Sequence, residues 1–449
     1  MKVIVVGGGI GGLAAYHSFK TYVPDASVTV YEAYVRSPDS ASVLGGGSVI
    51  IMNGIRALSR ISPNAVAHIY RTGFQAPYFN LRNEHGSTLG QMGRGRDRLM
   101  LARAALHDAM MLDVPEGVVV CGRRVIEVNE SPEKATVTFE DGQTEDCDLV
   151  IGADGVRSTC RTAIYGPDNH ALRYDGMTGI GGFVPLASLS KRIQDGIMAD
   201  CAPSMTYGRD GFFGYSLSLP IETPVAEQQL MWWSTYAVDP PPERDQPPSD
   251  IYATLMSKHA HWHSPHGPNL FHSIIHAACG NSDPESKAQA HSSSTQARFR
   301  KWLVLPRFET DRLPRWASDH SRIFLIGDAA HTQSPDSGQG ASMAIEDADM
   351  LGILAKHFTK NGIDSSEEAM KKIRTAYETL RMPRIDRVLR LGKDSENRKR
   401  KLSWFAAKLR DVALWMLCRM PSWVMRRFNA GSLYNVDVEV AHYLSFGRT

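Results

Sequence analysis

Val3-Ile4-Val5-Val6-Gly7-Gly8-Gly9-Ile10-Gly11-Gly12-Leu13-Ala14-Ala15 stands almost at the start of the chain, and its reading decides the fold. A short β-branched run suits a strand buried on both faces. Gly7, Gly9 and Gly12 then spell GxGxxG, Leu13-Ala14-Ala15 opens a helix, and Val28-Thr29-Val30-Tyr31-Glu32 makes a second strand. The acid lies 20 residues beyond the last glycine. Each residue has a physical task in that unit: Gly7 allows a tight turn, Gly9 lets a pyrophosphate approach the backbone, and Gly12 lets helix pack on strand. Glu32 accepts hydrogen bonds from ribose hydroxyls. The unit predicts dinucleotide binding, and Glu32 favours a free 2′-OH over a 2′-phosphate.

The pattern of an apolar strand ending in Gly and Asp recurs twice. Asp148-Leu149-Val150-Ile151-Gly152-Ala153-Asp154-Gly155 is followed by Ser158 and Arg161 at helical spacing. Later come Ile326-Gly327-Asp328-Ala329-Ala330-His331 and Pro335-Asp336-Ser337-Gly338-Gln339-Gly340, leading into a predicted helix over 341–351. Amides at a helix start suit an anionic or electron-rich ligand, and a lone carboxylate just before the turn suits a polyol. With the first motif, these features predict FAD.

The bulk composition narrows the function further. With 449 residues and 43% apolar residues, two or three domains or one large composite fold are expected. A net charge of +2 gives no nucleic-acid signal. The charge is uneven, because fourteen Lys/Arg stand against four Asp/Glu between Arg381 and Arg427. Six cysteines without CxxC spacing predict reduced thiols, no metal site and a cytoplasmic setting. The Val3–Val6 run leaves no room for a leader ahead of the fold, and no stretch reaches 18 uncharged apolar residues.

Between the motifs the chain reads as follows. Gly45-Gly46-Gly47 is a loop or a close approach to cofactor, and Leu99–Met111 has helical character with Arg103 on it. Val118–Val128, Ala135–Phe139 and Asp148–Gly152 read as strands, with Asp141-Gly142 as a hairpin turn. From Tyr174 to Tyr236, aromatic-rich runs predict a separate sheet that could wall a flat apolar substrate. A proline-rich break at Pro240–Pro248 precedes a histidine-rich segment (His259, His261, His263, His266, His272, His276) expected to be irregular surface, and Asn281–Ser294 is expected to be a mobile insertion. Glu367–Val388 predicts a helix interrupted or kinked near Pro383. Residues 398–428 are basic and amphipathic. Their apolar face is expected to pack on the body, with an anionic membrane surface as the other reading.

Together the three motifs resemble the single-component FAD-dependent aromatic hydroxylases, class A flavoprotein monooxygenases of the para-hydroxybenzoate hydroxylase fold, over most of the chain. The resemblance implies a fold of the α/β class, with a Rossmann-like FAD-binding domain interleaved with a β-sheet substrate domain and followed by C-terminal helices. The expected divisions are 1–173 and 301–395 for the FAD-binding domain, 174–300 for the substrate domain and 396–449 for the basic helical region. It implies cofactor contacts from Gly7, Gly9, Gly12, Glu32, Gly46, Arg103, Asp154, Gly155, Asp328, Gly338, Gly340 and Ala341, with Pro335 beside the flavin ring. Tyr377–Arg384 resembles the closing helix of the fold.

The implied reaction uses NADPH or NADH to reduce FAD, adds O2 at C4a of the flavin, and passes one oxygen atom from that hydroperoxide to the substrate. Some phenol-hydroxylating relatives carry an arginine in the strand before a Val-Pro pair. Here Ile180-Gly181-Gly182-Phe183-Val184-Pro185 has none. A neutral, lipophilic aromatic or polycyclic substrate is therefore expected, of the secondary-metabolite kind, with Tyr207, Arg209 and Tyr236 as candidate polarising groups. The alternatives are a reductase or dehydrogenase of the same fold without oxygen insertion, and a non-enzymatic flavin-binding sensor.

Overall fold

The computed structural model describes the chain apart from residues 36–45, 96, 168, 244–245, 280–301, 333–337, 422–429 and 447–449. The β-branched N-terminal run forms strand Lys2–Val6 at the centre of a five-stranded sheet. Its order is Ile323–Leu325, Leu149–Gly152, Lys2–Val6, Ser27–Glu32, Val119–Cys121. Every pairing is parallel. Val3, Ile4 and Val5 are fully buried, as strands covered on both faces require. Helix Ile10–Tyr22 and the 19-residue helix Gly340–Phe358 pack on each other over this sheet.

The three glycine-containing motifs follow three neighbouring strands, so all of them emerge along one carboxyl edge. A ligand of an open parallel sheet binds at that edge. Close packing there depends on Gly12, where a Cβ would stand 1.8 Å from the Gly7 carbonyl oxygen.

The second layer is a seven-stranded sheet in the order Leu303–Glu309, Arg173–Pro185, Gln229–Ala237, Phe212–Leu217, Ser204–Tyr207, Phe79–Asn83, Thr88–Met92. It is antiparallel except between Ser204–Tyr207 and Phe79–Asn83. Strands 79–92 come from before the expected division at residue 174, and strand 303–309 comes from after residue 300. The large sheet thus draws strands from both sides of the expected 174–300 division. The helix expected over Glu367–Val388 runs to Asn397, past the expected division at 395, and residues 430–446 return to the parallel-sheet half.

Three local expectations also change. Leu99–Met111 divides into strand Arg98–Ala102, fully buried and paired with Gly47–Ile51, and helix Arg103–Met111. Helix Glu367–Asn397 passes through Pro383 without interruption, because Tyr377, Arg381, Arg384, Ile385 and Val388 are buried on both sides of the missing N–H. The histidine-rich segment is only partly surface: helices Pro248–His259 and Leu270–Cys279 cover one face of the large sheet and bury His259, Trp262 and Phe271, with His266 also buried, while His261, His263, His272 and His276 are exposed. The segment 281–294 lies outside the described residues. Among the described residues no three His, Cys, Asp or Glu are arranged for a metal, and no helix is long and apolar enough to cross a membrane.

Candidate functional site

At the adenosine end, the Gly8 amide donates to Glu32 Oε2 at 2.8 Å and the Tyr34 amide donates to Oε1 at 3.0 Å. The carboxylate is thereby oriented at the end of its strand with lone pairs to spare. His107 Nε2 meets the Gly8 carbonyl at 2.9 Å, so both backbone polar groups of Gly8 are fixed. Nothing in the spacing of the chain marks His107, which reaches the loop only because helix Arg103–Met111 lies beside it.

Arg103 opens that helix, and its amide donates to the Gly46 carbonyl at 3.0 Å. A Cβ on Gly9 would lie 3.6 Å from the Arg103 guanidinium. No described residue accepts a hydrogen bond from that guanidinium. Burial lowers its pKa from the usual arginine value, while Asp328 and Glu32 act in the opposite direction. A recessed cation lying over a glycine loop fits a diphosphate.

Asp154 and Asp328 share this recessed character. Both are reachable by solvent, yet desolvation raises both carboxyl pKa values above the ordinary range. Accessibility combined with a dense protein surround describes the floor of a groove. Asp154 accepts from the Ser158 hydroxyl and the Cys160 amide. Arg161 clasps the two later motifs together, donating to the carbonyls of Val156, Asp328 and Ala329. Asp328 is left turned toward the groove, and Gly155 beside Asp154 has open space where a Cβ would be. The donors and acceptors along the carboxyl edge, with an Arg103 guanidinium that no described residue caps, fit FAD.

Beyond Asp328, Gly338 and Gly340 are partly exposed, and Gly340 and Ala341 begin helix Gly340–Phe358 with amides that have no intrahelical acceptor. Pro335 lies outside the described residues. Behind the turn is a fully buried polar network that sequence reading missed. Asp347 accepts from the Gly327 amide at 2.9 Å and the Arg381 Nε at 2.8 Å, and bonds His331 Nε2 at 2.6 Å. Glu346 receives Arg381, Arg384 and Asn53. Although burial opposes it, the Arg381 and His331 side chains hold the Asp347 carboxyl down to about 2. The network fixes the strand-to-helix turn that carries Asp328. The signal available was three acids close together on a helix, Glu346, Asp347 and Asp349, none of them exposed.

The large sheet has two unlike faces. Side chains alternate along a strand, so Leu230, Trp232, Ser234 and Tyr236 share one face and Met231, Trp233 and Thr235 share the other. Ser234 Oγ bonds His259 at 2.7 Å and Lys258 lies over the Tyr236 ring, which puts the first set against the covering helices. Tyr236 is therefore turned away from the cofactor half. Met231 reaches the other way, to Gly47: a Cβ there would meet its sulfur at 1.5 Å. Trp233, Phe212, Tyr207 and Met205 follow on that cofactor-side face by register. Tyr207 meets Phe212 edge to face at 5.1 Å. Arg209 is exposed in the hairpin turn after Tyr207, with its amide on Glu84. Two buried cations that sequence reading passed over reach this face: Arg307 donates to Thr235 Oγ1, and the Lys399 ammonium lies 4.0 Å over Phe212.

This architecture and groove fit an enzyme built around FAD, and the comparisons with known proteins agree. The profile of a family described as an FAD binding domain matches residues 251–391. The chain is 26% identical over 360 residues to 2-heptyl-3-hydroxy-4(1H)-quinolone synthase of Pseudomonas aeruginosa, covering 79% of this chain and 80% of that one. It is 28% identical over 404 residues to 3-amino-4-hydroxybenzoate 2-monooxygenase of Streptomyces cremeus, covering 87% and 85%. In fold it matches Klebsiella pneumoniae HpxO, solved with FAD and uric acid, at a TM-score of 0.74 and 20% identity over 96% of this chain and 97% of that one. The chain is an FAD-dependent oxidoreductase that hydroxylates or epoxidises its substrate, with NAD(P)H as the reductant usual for the class.

Proposed function

We propose that the substrate is a neutral, lipophilic aromatic or polycyclic molecule held between the flavin and the cofactor-side face of the large sheet. The observation that carries this reading is the apolar cofactor-side face, where Met205 and Trp233 stay partly exposed and Tyr207 and Phe212 are packed beneath Leu414 at the far end, and whose neighbouring cations are already engaged by Thr235 and by the Phe212 ring. Such a wall favours a flat apolar body over an anion.

When bound, FAD supplies activated oxygen for transfer to the substrate. The residues of this chain do the positioning. Glu32 takes the adenosine ribose, Arg103 neutralises the diphosphate beside Gly7, Gly9, Gly12 and Gly46, and Asp328 takes the ribityl hydroxyls. Asp154 and Gly155 line the groove between them. The amides of Gly340 and Ala341, next to Gly338, face the electron-rich edge of the ring system. The aromatic wall keeps water away from the reacting oxygen. Tyr207 is the polar group we assign to substrate orientation, in preference to Tyr236 behind the sheet and Arg209 at its rim. We place the enzyme in the cytoplasm, where its six unpaired cysteines stay reduced, with peripheral membrane contact through its basic C-terminal region.

The test gives FAD-loaded enzyme NADH or NADPH, oxygen-18 gas and a panel of aromatic and polyene substrates, with mass spectrometry of the products. One labelled oxygen in the product, with substrate-stimulated NAD(P)H consumption, is the expected result. A reduced, unlabelled product would move the assignment to a reductase. No stimulation by any substrate would favour a sensor.

A further inference from the structure

Helix Trp404–Leu417 is amphipathic in the opposite sense to a helix that covers a core. Ala407, Arg410 and Leu414 face the body, whereas Phe405, Leu409, Val412 and Met416 form an outward stripe, each more than 45% exposed. Spacings of 4, 3 and 4 residues put that stripe on one side of the helix. Its inner side is held by polar bonds. Arg410 donates to the carbonyls of Gly208 and Tyr207, Asp411 pairs with Arg410 and accepts from Asn83, and the Leu402 amide donates to the Arg209 carbonyl. Because these contacts fix the helix, the outward stripe cannot be covered by simple rotation.

We propose that this outward stripe docks the enzyme on an anionic lipid surface. The charge distribution selects that occupant. Lys401, Lys408 and Arg419 are exposed around the stripe, while the single acid of the helix, Asp411, is turned inward. Trp404 and Trp415 stand at the margin with 60% and 46% exposure, where an indole places its ring among acyl chains and its N–H among headgroups. The position of the helix supplies a reason for docking. Leu414 packs with Leu81, Leu89, Tyr207 and Phe212, so its inner side continues the aromatic wall of the substrate region. A lipophilic substrate partitioned in a bilayer would then meet the enzyme beside its own binding wall. This purpose rests on the substrate reading above, but the docking itself stands on the helix.

The experiment sediments the FAD-loaded full chain with vesicles of phosphatidylcholine alone or mixed with phosphatidylserine, at low and raised salt. The chain should pellet with the anionic vesicles, far less with the zwitterionic ones, and less as salt rises. Phe405→Glu/Leu409→Glu should lower the bound fraction about tenfold or more, because two anchoring side chains become anions. FAD content and melting temperature should match the parent, since both positions are exposed. A parent that stays in the supernatant, or a double variant that pellets like the parent, overturns the proposal. So does a parent that ignores vesicles and forms a dimer dissolved by the same substitutions, which would give the stripe to a second copy of the chain. Sedimentation requires no turnover, so a failure to find an oxygenated product leaves its outcome intact. Conversely, full turnover of a water-soluble substrate by the double variant leaves the monooxygenase reading intact.

Discussion

The two sheets of this protein carry function in different ways. In the parallel sheet, the proposed cofactor contacts are backbone turns at strand ends, and the residues assigned to them stand next to one another in the chain. In the antiparallel sheet, what matters is which of two faces a side chain takes, and neighbours in the chain point in opposite directions. Trp232 stacks on Phe213 beneath the covering helices, while Trp233 faces the cofactor half. A motif can therefore announce the first kind of site, but the second emerges only when register is known.

The sharpest way to break this contrast is to attack the network behind the flavin turn. Arg381→Met removes the cation shared by two fully buried carboxylates. It should cost about 3–5 kcal/mol, read as a lowered melting temperature and earlier release of flavin fluorescence. Near-parental melting would show that the turn stands without the network. Next in size, Asp328→Ala should raise the FAD dissociation constant roughly 10- to 100-fold, and Glu32→Ala should act in the same direction, because each removes a charged hydrogen bond of about 1.5–3 kcal/mol. Titration of apoprotein with FAD measures both, and parental affinity in either variant would remove that residue from the site.

Acid provides a third probe. The Asp347 carboxyl is held at about 2 in the folded chain against 3.8 for the ordinary group, so the unfolded state binds its proton first. The stabilisation is complete above the unfolded value and should be lost as pH falls from about 4 toward 2, by about 2 kcal/mol. Urea unfolding across that interval in parent and Asp347→Asn should show the parent losing more; equal slopes would contradict the assignment. The smallest effect sharpens the contrast within the large sheet. Tyr207→Phe should change KM or product yield several-fold, on the order of one neutral hydrogen bond, whereas Tyr236→Phe on the other face should change them less than about twofold. Comparable effects from both would mean that the faces are not functionally distinct.

These differences explain how much was legible beforehand. The strand ends and glycine turns could be read because such turns demand particular residues at a particular spacing, and the structure brings Glu32, Asp154 and Asp328 together along one sheet edge as that spacing predicts. Arg381, His107 and Arg307 could not, because each acts on a segment far away in the chain and has no local signature. The C-terminal helix shows a subtler failure. Its apolar stripe was visible, but the rule that apolar faces pack inward is overruled by Arg410, whose bonds to strand-end carbonyls turn the stripe outward. In the helix through Pro383, tertiary burial likewise overrides a local breaker.

The large sheet takes strands from residues 79–92, from 173–237 and from 303–309, and the chain returns to the parallel sheet between the first two visits and again after the last. No single cut separates the two halves. A change of substrate range therefore cannot come about by trading one contiguous module between homologous genes, because such a segment arrives without its neighbouring strands. On the substrate reading proposed above, specificity drifts instead through point changes on the cofactor-side face and through loops that join strands already in place.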